Sequence, residues 1–275
     1  MINRLDLKHF KCFEYLRLPM ASLTLLSGAN ASGKSTLLQA LVLLHQTMHE
    51  HEWSTRLMLN GELLKLGTVG DVLDKVHGRK SFEISVIDGN SLCHWVFAGE
   101  RGDMSMVVES VGQGGNTINN PKNLRFLLPA DMDEPGCVFA QRVRGLSYIT
   151  AERVGPREVY GLDDRQIATV VGPAGEHAAS VLHWGRDELV MDGLVLPEVP
   201  PTRLRQVEER MRIFFPGCSI ALQQIPNVNA VTLGFRTSDE TDFHRPVHVG
   251  FGLTQGVGAH VHGESLLWMI RLGKK

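Results

Sequence analysis

The chain has 275 residues, of which 43% are hydrophobic and 21% are charged, and its formal net charge at pH 7 is -2. This composition is typical of a soluble globular protein, excludes a disordered or fibrous chain, and shows no basic excess that would indicate nucleic-acid binding. The 4 isolated cysteines and the lack of a long apolar run argue against a disulfide framework, a zinc site or a membrane span, so we expect a cytoplasmic protein.

The first elements of the chain are predicted to be three strands and a helix. Residues 2–8 and 15–19 alternate apolar and polar side chains, which indicates half-buried strands. Residues 22–27 are nearly all apolar, as expected of a strand that is covered on both faces. From Lys34 onward, spacing of three and four residues predicts an amphipathic helix whose apolar stripe comprises Leu37, Leu38, Leu41, Leu44 and His45.

The middle of the chain is predicted to be an antiparallel meander followed by an irregular segment. Residues 81–112 contain three alternating stretches joined by the turns DGN and RGD. Residues 113–140 are rich in glycine, asparagine and proline, and we interpret them as a loop-rich insertion that spans about 110–145. Residues 146–152 then return to a buried strand, which leads into the loop RVGPREVYG.

The last third of the chain is predicted to contain a helix and a hairpin. Residues 200–217 have a proline-led start, a helical apolar period and a proline-glycine stop. Residues 218–225 and 230–238 are typical of two hairpin strands.

The stretch GANASGKS, residues 28–35, fits the phosphate-loop pattern G-x-x-x-x-G-K-[ST] at every fixed position, between a predicted strand and a predicted helix. Such a loop turns its backbone N–H groups toward the phosphates, at the positive end of the helix dipole. Lys34 would supply a charge to the β- and γ-phosphate oxygens, and the Ser35 hydroxyl would ligate magnesium. The residues predicted to bind ATP are Gly28, Asn30, Ser32, Gly33, Lys34, Ser35 and Thr36.

The N-terminal part resembles the ABC-type ATPases of the SMC, RecF and OLD lineage. These begin with a strand, an FKxF element and a short strand, and then carry G-x-N-x-x-G-K-S-T. The matching residues here are Phe10–Phe13 and Gly28–Thr36. The resemblance implies an α/β fold, namely a P-loop NTPase head of the ABC type with an antiparallel β-subdomain.

Within this lineage, the chain resembles small bacterial AAA family ATPases from phage-defence and mobile-element operons. They carry segments that resemble residues 59–73, 148–160 and 248–255, in this order. The resemblance therefore covers most of residues 1–255, which we predict to form the ATPase head.

The segment HVGFGLTQ, residues 248–255, resembles the signature loop that caps the γ-phosphate bound to the opposite subunit of an ABC-type dimer. Small residues allow its backbone to approach, and a hydroxyl at a helix N-terminus donates to phosphate. The resemblance gives this role in trans to Gly250, Gly252, Thr254 and Gln255. An ordinary glycine-rich turn with Thr254 as a helix N-cap is the alternative.

Two further groups are candidates for the nucleotide site. By the resemblance, Glu152, Arg153 and Arg157 lie near the nucleotide or the dimer face, although a surface loop with salt bridges explains them equally well. Lys11 is placed to reach the nucleotide from the N-terminal turn, or else it is solvated.

The resemblance ends at Gly256. ABC-type ATPases need an apolar strand that ends in Asp-Glu, the Walker B element, and usually a switch histidine, because these groups order magnesium and polarise the attacking water. The tail, residues 256–275, contains one carboxylate, Glu264, which precedes the apolar run LLWMI instead of ending it. We therefore expect a divergent tail that lacks the C-terminal strands of the head, through truncation, frameshift or degeneration.

The catalytic residues are accordingly unassigned, and we expect ATP binding with negligible hydrolysis unless a carboxylate such as Glu152 serves as the base. Hydrolase activity is implied by the resemblance only. ATP would drive homodimerisation of two heads. This association would drive or gate a partner, namely an effector, a nuclease or DNA, in antiviral defence or DNA maintenance. A nucleotide-sensing switch or scaffold without turnover, and a P-loop kinase of small molecules, are the alternatives.

Overall fold

A computed structural model describes residues 1–74, 78–89, 91–131, 133–150, 152–164, 171–238, 240–250, 252–254 and 256–257. Residues Met1–Tyr148 form a first compact unit, and the described residues from Ile149 onward form a second. Among the described residues, none of the helices is long and apolar enough to cross a bilayer.

The first unit is built on an antiparallel sheet of 7 strands in the order β2-β1-β4-β5-β6-β3, with β7 paired to β6. The strands are β1 (Ile2–Phe10), β2 (Phe13–Pro19), β3 (Arg56–Met58), β4 (Ser81–Asp88), β5 (Ser91–Ala98), β6 (Ser105–Gln113) and β7 (Asn116–Asn119). Side chains alternate between buried and partly exposed along β4, because one face of the sheet covers the core. The predicted strands at 2–8 and 15–19 and the predicted meander at 81–112 are confirmed.

The described residues of the first unit also form three α-helices: α1 (Lys34–Glu50), α2 (Val69–Val72) and α3 (Glu134–Arg144). The predicted helix from Lys34 onward is therefore confirmed. Helices α1 and α3 lie against each other, and their apolar side chains share one core with those of the sheet. Fully buried members of this core include Leu41, Leu44, Phe82, Phe97 and Phe139.

Residues 22–27, predicted as a covered strand, do not form one. Leu23 is 46% exposed and Leu25 is 74% exposed, so the apolar residues of this segment are not covered on both faces. The described residues of 146–152 likewise form no named strand. For residues 22–27 the physical reason is that a strand requires a neighbour for its backbone N–H and C=O groups, and none of the described strands pairs with this segment.

The segment predicted as a loop-rich insertion contains β7, two short paired strands, β8 (Leu124–Arg125) and β9 (Leu128–Pro129), and α3. The prediction of loop is therefore wrong for the residues of α3. Asp133 caps this helix by accepting a hydrogen bond from the Gly136 N–H at 2.9 Å. Phe139 and Val143 are fully buried, so packing against the core stabilises a helix whose first turn contains proline and glycine.

The second unit has a sheet of 3 strands in the order β10-β12-β11 and two α-helices among its described residues. These elements are β10 (Tyr160–Gly161), α4 (Ala178–Gly185), α5 (Arg203–Arg212), β11 (Ser219–Gln224) and β12 (Ala230–Arg236). Strands β11 and β12 pair antiparallel, which confirms the predicted hairpin, and α5 confirms the predicted helix. Its buried residues Val207 and Met211 lie in the core of this unit.

Candidate functional site

The predicted phosphate loop leads directly into α1. Gly33 is the N-cap residue of the helix and has a φ of 91°, in the left-handed region. No side chain in the described part of the chain caps this helix, and its first turn contains no acidic residue. In the described part of the chain, the start of α1 therefore holds no carboxylate cap that an incoming anion would need to displace.

The start of α1 offers backbone donors that suit a polyphosphate. The Leu37 N–H bonds to the Gly33 carbonyl oxygen at 3.2 Å, which closes the first turn. The N–H groups of Lys34, Ser35 and Thr36 precede that bond and have no acceptor within the helix. These donors lie at the positive end of the helix dipole, where an anion is stabilised. The geometry therefore fits the phosphates of a nucleotide.

The Lys34 ammonium group lies across the loop. Its Nζ donates to the carbonyl oxygen of Gly28 at 2.7 Å and to that of Ala29 at 2.6 Å. A third and longer bond, of 3.5 Å, goes from Nζ to Ser32 Oγ, and this weakest of the three bonds is the one that a phosphate oxygen would replace. Lys34 therefore both closes the loop and holds a positive charge at the loop that precedes the first turn of α1.

The remaining predicted nucleotide ligands surround the same loop. Asn30, Ser32 and Ser35 are exposed, and Thr36 is partly buried. Among the described residues, no three His, Cys, Asp or Glu side chains cluster as a metal site. Magnesium usually keeps several waters and binds through substrate phosphates with one or two protein ligands, so an exposed Ser35 at the helix start suits it.

Lys11 lies near the beginning of α1, but its amine is engaged with the protein. Its Nζ donates to Gln39 Oε1 at 2.7 Å, and its backbone N–H donates to the Val72 carbonyl oxygen at 2.8 Å. Burial lowers the pKa of the Lys11 amine, and the charge of Asp71 opposes that shift. The predicted contact of Lys11 with the nucleotide stays a prediction.

Two residues beside the loop escaped the sequence prediction. Gln39 accepts from Lys11, and Asp71 belongs to a capping box in which the Thr68 N–H donates to Asp71 Oδ2 at 2.9 Å. The spacing Thr68-x-x-Asp71 is the signal that could have identified this capped turn. The residues of the segment LGTVGDVL therefore support Lys11 at the start of α1.

The predicted signature-loop residues belong to the second unit. Gly250 and Gly252 are exposed, and a Cβ on Gly250 would meet no atom within 4 Å, so its backbone is open to approach. Thr254 lines a small cavity together with Arg153 and Gly175. Gln255 lies outside the described residues.

Three residues of the loop after residue 150 were predicted to lie near the nucleotide or the dimer face, and one of them lines this cavity. Arg153 lines it, and burial lowers the pKa of its guanidinium group. Glu152 and Arg157 are exposed, and the Arg157 backbone N–H donates to the Tyr160 hydroxyl oxygen at 3.1 Å. Within this unit, Thr254 and Arg153 are thus brought together.

Part of the chain is similar to known proteins. Residues 1–98 match the model of the AAA ATPase domain. Over 135 residues the chain is 27% identical to the OLD nuclease of Thermus scotoductus, and the match covers 48% of this chain and 24% of that relative. The chain therefore matches about a quarter of the length of this curated relative.

Among solved structures, the crystal structure of the SmcHead bound to the C-winged helix domain of ScpA is similar at 14% identity and a TM-score of 0.43. The likeness covers 95% of this chain and 76% of that chain.

Proposed function

We propose that the protein binds magnesium-ATP at the loop Gly28–Gly33 and then associates with a second copy, because residues 1–98 match the model of the AAA ATPase domain and the chain is similar to the OLD nuclease of Thermus scotoductus. The observation that carries the proposal is the start of α1. There a left-handed Gly33 without a side-chain cap precedes three N–H groups that have no acceptor within the helix, and the Lys34 ammonium group lies across the loop.

Each group of the loop has a defined task in this binding. The N–H groups of Lys34, Ser35 and Thr36 donate to phosphate oxygens, and the Lys34 charge offsets the charge of the terminal phosphates. Ser35 provides one hydroxyl ligand for magnesium, whose charge would neutralise the β- and γ-phosphate oxygens. Since these donors are fixed by the helix, they need little ordering when the anion arrives.

The second copy would complete the site from the opposite side. Gly250, Gly252 and Thr254 would face the γ-phosphate held by the partner's loop, as the signature loop does in ABC-type dimers. The exposure of Gly250 and Gly252 supports this role, because only bare backbone permits so close an approach. ATP-dependent association would then drive or gate an effector or nuclease, or DNA, in antiviral defence or DNA maintenance.

Light scattering of the purified chain with a non-hydrolysable ATP analogue and magnesium tests the proposal. We expect the molar mass to double for the wild type and to stay monomeric for Lys34→Ala. Thr254→Trp should block association and spare nucleotide binding, whereas Thr241→Trp, at an exposed position of the same unit, should leave both intact. A wild-type mass that does not change with nucleotide would contradict the association step.

A further inference from the structure

The turn between β1 and β2, residues Phe10–Phe13, is named here the support turn. One side of this turn packs against the core of the first unit. Phe10 is fully buried, and its ring centroid lies 4.9 Å from that of Phe82. The backbone N–H of Lys11 bonds to the carbonyl oxygen of Val72 at 2.8 Å. The support turn therefore has a rigid attachment that does not depend on the phosphate loop.

The other face of the support turn touches the phosphate loop at Gly33. A Cβ built on Gly33 would lie 2.7 Å from Phe13 Cζ and 2.8 Å from Cys12 Sγ, closer than real Cβ atoms approach their neighbours. Both side chains therefore lie directly against the bare Cα of Gly33. A glycine is required here by this contact as well as by its φ of 91°.

Something outside Gly33 has to select that backbone conformation. Glycine populates positive and negative φ about equally, so Gly33 alone does not choose the left-handed state. Its conformation matters, because the N-cap residue sets the direction of the N–H groups of Lys34, Ser35 and Thr36. The Phe13 ring contacts the loop at this residue and is itself packed against the core.

We propose that Phe13 is a positioning residue for phosphate binding, and that its ring keeps Gly33 in the left-handed conformation that aims the N–H groups of α1 at the phosphates. The inference rests on the proposed binding of ATP. The Lys11 bond to Gln39 at 2.7 Å adds a second link between the support turn and α1. Cys12 lies on the same side of Gly33, but Phe13 supplies the larger rigid surface.

Titration of the full chain with fluorescent mant-ATP and magnesium tests the role of Phe13. Because a small misplacement of binding groups weakens an interaction strongly, we expect Phe13→Ala to raise the dissociation constant about tenfold. Phe13→Leu keeps an apolar wall and should stay within about threefold of the wild type. Leu16→Ala is the matched control, since Leu16 is also a partly buried residue of β2 packed against the same core.

A purely structural role for Phe13 makes a different prediction. In that case Phe13→Ala and Leu16→Ala would lower the melting temperature alike, and neither would change the affinity for mant-ATP. Equal affinities of Phe13→Ala and the wild type would overturn the inference. If Phe13→Ala does not fold, Phe13→Val replaces it, and equal affinities of Phe13→Val and Phe13→Leu would overturn the inference.

A double-mutant cycle with Gly33→Ala isolates the contact. Gly33→Ala should weaken binding, in part because the new methyl group meets Phe13. If the two residues act through one contact, the double variant should bind no more weakly than Gly33→Ala alone. Losses that multiply would overturn the inference. A wild type that does not bind mant-ATP would instead refute the proposed function itself.

Discussion

Lys34 donates a hydrogen bond from its Nζ to the carbonyl oxygen of Gly28 at 2.7 Å, so the charged end of the loop is tied to its own beginning. This bond holds the positive charge of Lys34 at the loop that precedes the first turn of α1. It also lies at the surface, away from the core of the first unit. Binding and folding should therefore respond differently to a change of Lys34.

Lys34→Ala should leave the free energy of unfolding within about 0.5 kcal/mol of the wild type, because surface contacts contribute little to stability. Urea denaturation followed by circular dichroism measures this. Leu41→Ala, which removes a fully buried side chain of the same helix, should destabilise by about 2–5 kcal/mol and serves as the positive control. A Lys34→Ala variant that unfolds as readily as Leu41→Ala would show that Lys34 is structural.

Two of the four cysteines should react quickly with Ellman's reagent in the native protein. Cys12 and Cys137 are exposed, whereas Cys93 and Cys218 are buried. Burial raises the pKa of the Cys93 thiol to about 12 and that of Cys218 to about 11, so the reactive thiolate is scarce at both. Cys12→Ser should reduce the fast-reacting number from two to one. Rapid reaction of all 4 thiols in the folded wild type would contradict the described cores.

Gln46→Leu should destabilise the first unit by about 2 kcal/mol or more, because it leaves two backbone groups without a partner. Gln46 is 1% exposed, and its Nε2 donates to the Met58 carbonyl oxygen at 3.1 Å. Its Oε1 accepts from the Leu64 N–H at 3.0 Å. Thermal and urea denaturation measure the change, with the exposed Gln141→Leu on α3 as control. Equal stability of the two variants would show that these bonds contribute nothing.

The stability of the protein should fall as the pH drops below about 6.5, in part through His45. Burial lowers the pKa of His45, whose Nδ1 lies 2.8 Å from the Val143 carbonyl oxygen. Between the unfolded and the folded pKa, the unfolded chain binds a proton that the folded chain resists. The stabilisation is therefore complete above the unfolded pKa and is lost as the pH falls toward the lower folded value.

Urea midpoints at pH 7.5 and pH 5.5 test the role of His45. His45→Gln should lose less stability than the wild type between these two values. Burial also lowers the pKa of His9 and His183, so His45→Gln should remove only part of the acid sensitivity. An unchanged pH dependence in His45→Gln would refute this assignment.

The elements that could be predicted from the sequence are those in which apolar and polar residues follow a regular spacing. Alternation in β4 states directly which side faces the core. The helix α1 was predicted correctly, but the predicted single apolar stripe was not, because every residue from Ala40 to Met48 is buried. Helix α3 was missed because Pro135 and Gly136 in its first turn are typical of loops, and only its packing through Phe139 shows that it is a helix. For residues 22–27 the error is the reverse: a strand was predicted where none forms. Apolar composition indicates a buried strand, but it cannot supply the neighbouring strand that pairs with it.

The features of the candidate site likewise fall into those that the sequence predicts and those that depend on the folded structure. The fixed positions of the phosphate loop, from Gly28 to Ser35, could be predicted, because the backbone geometry requires those residue types at that spacing. The contact of Phe13 with Gly33 could not, since it depends on how β2 and α1 meet in the folded unit. The bond of Lys11 to Gln39 is hidden from the sequence for the same reason.

Isothermal titration calorimetry of the full chain with magnesium-ATP tests the central claim most directly. We predict saturable binding near one nucleotide per chain in the wild type and none in a folded Lys34→Ala variant, because that change removes a charge-assisted bond to phosphate and no core packing. The absence of binding in the wild type, or an unchanged affinity in folded Lys34→Ala, would contradict the claim that residues 28–35 hold the phosphates.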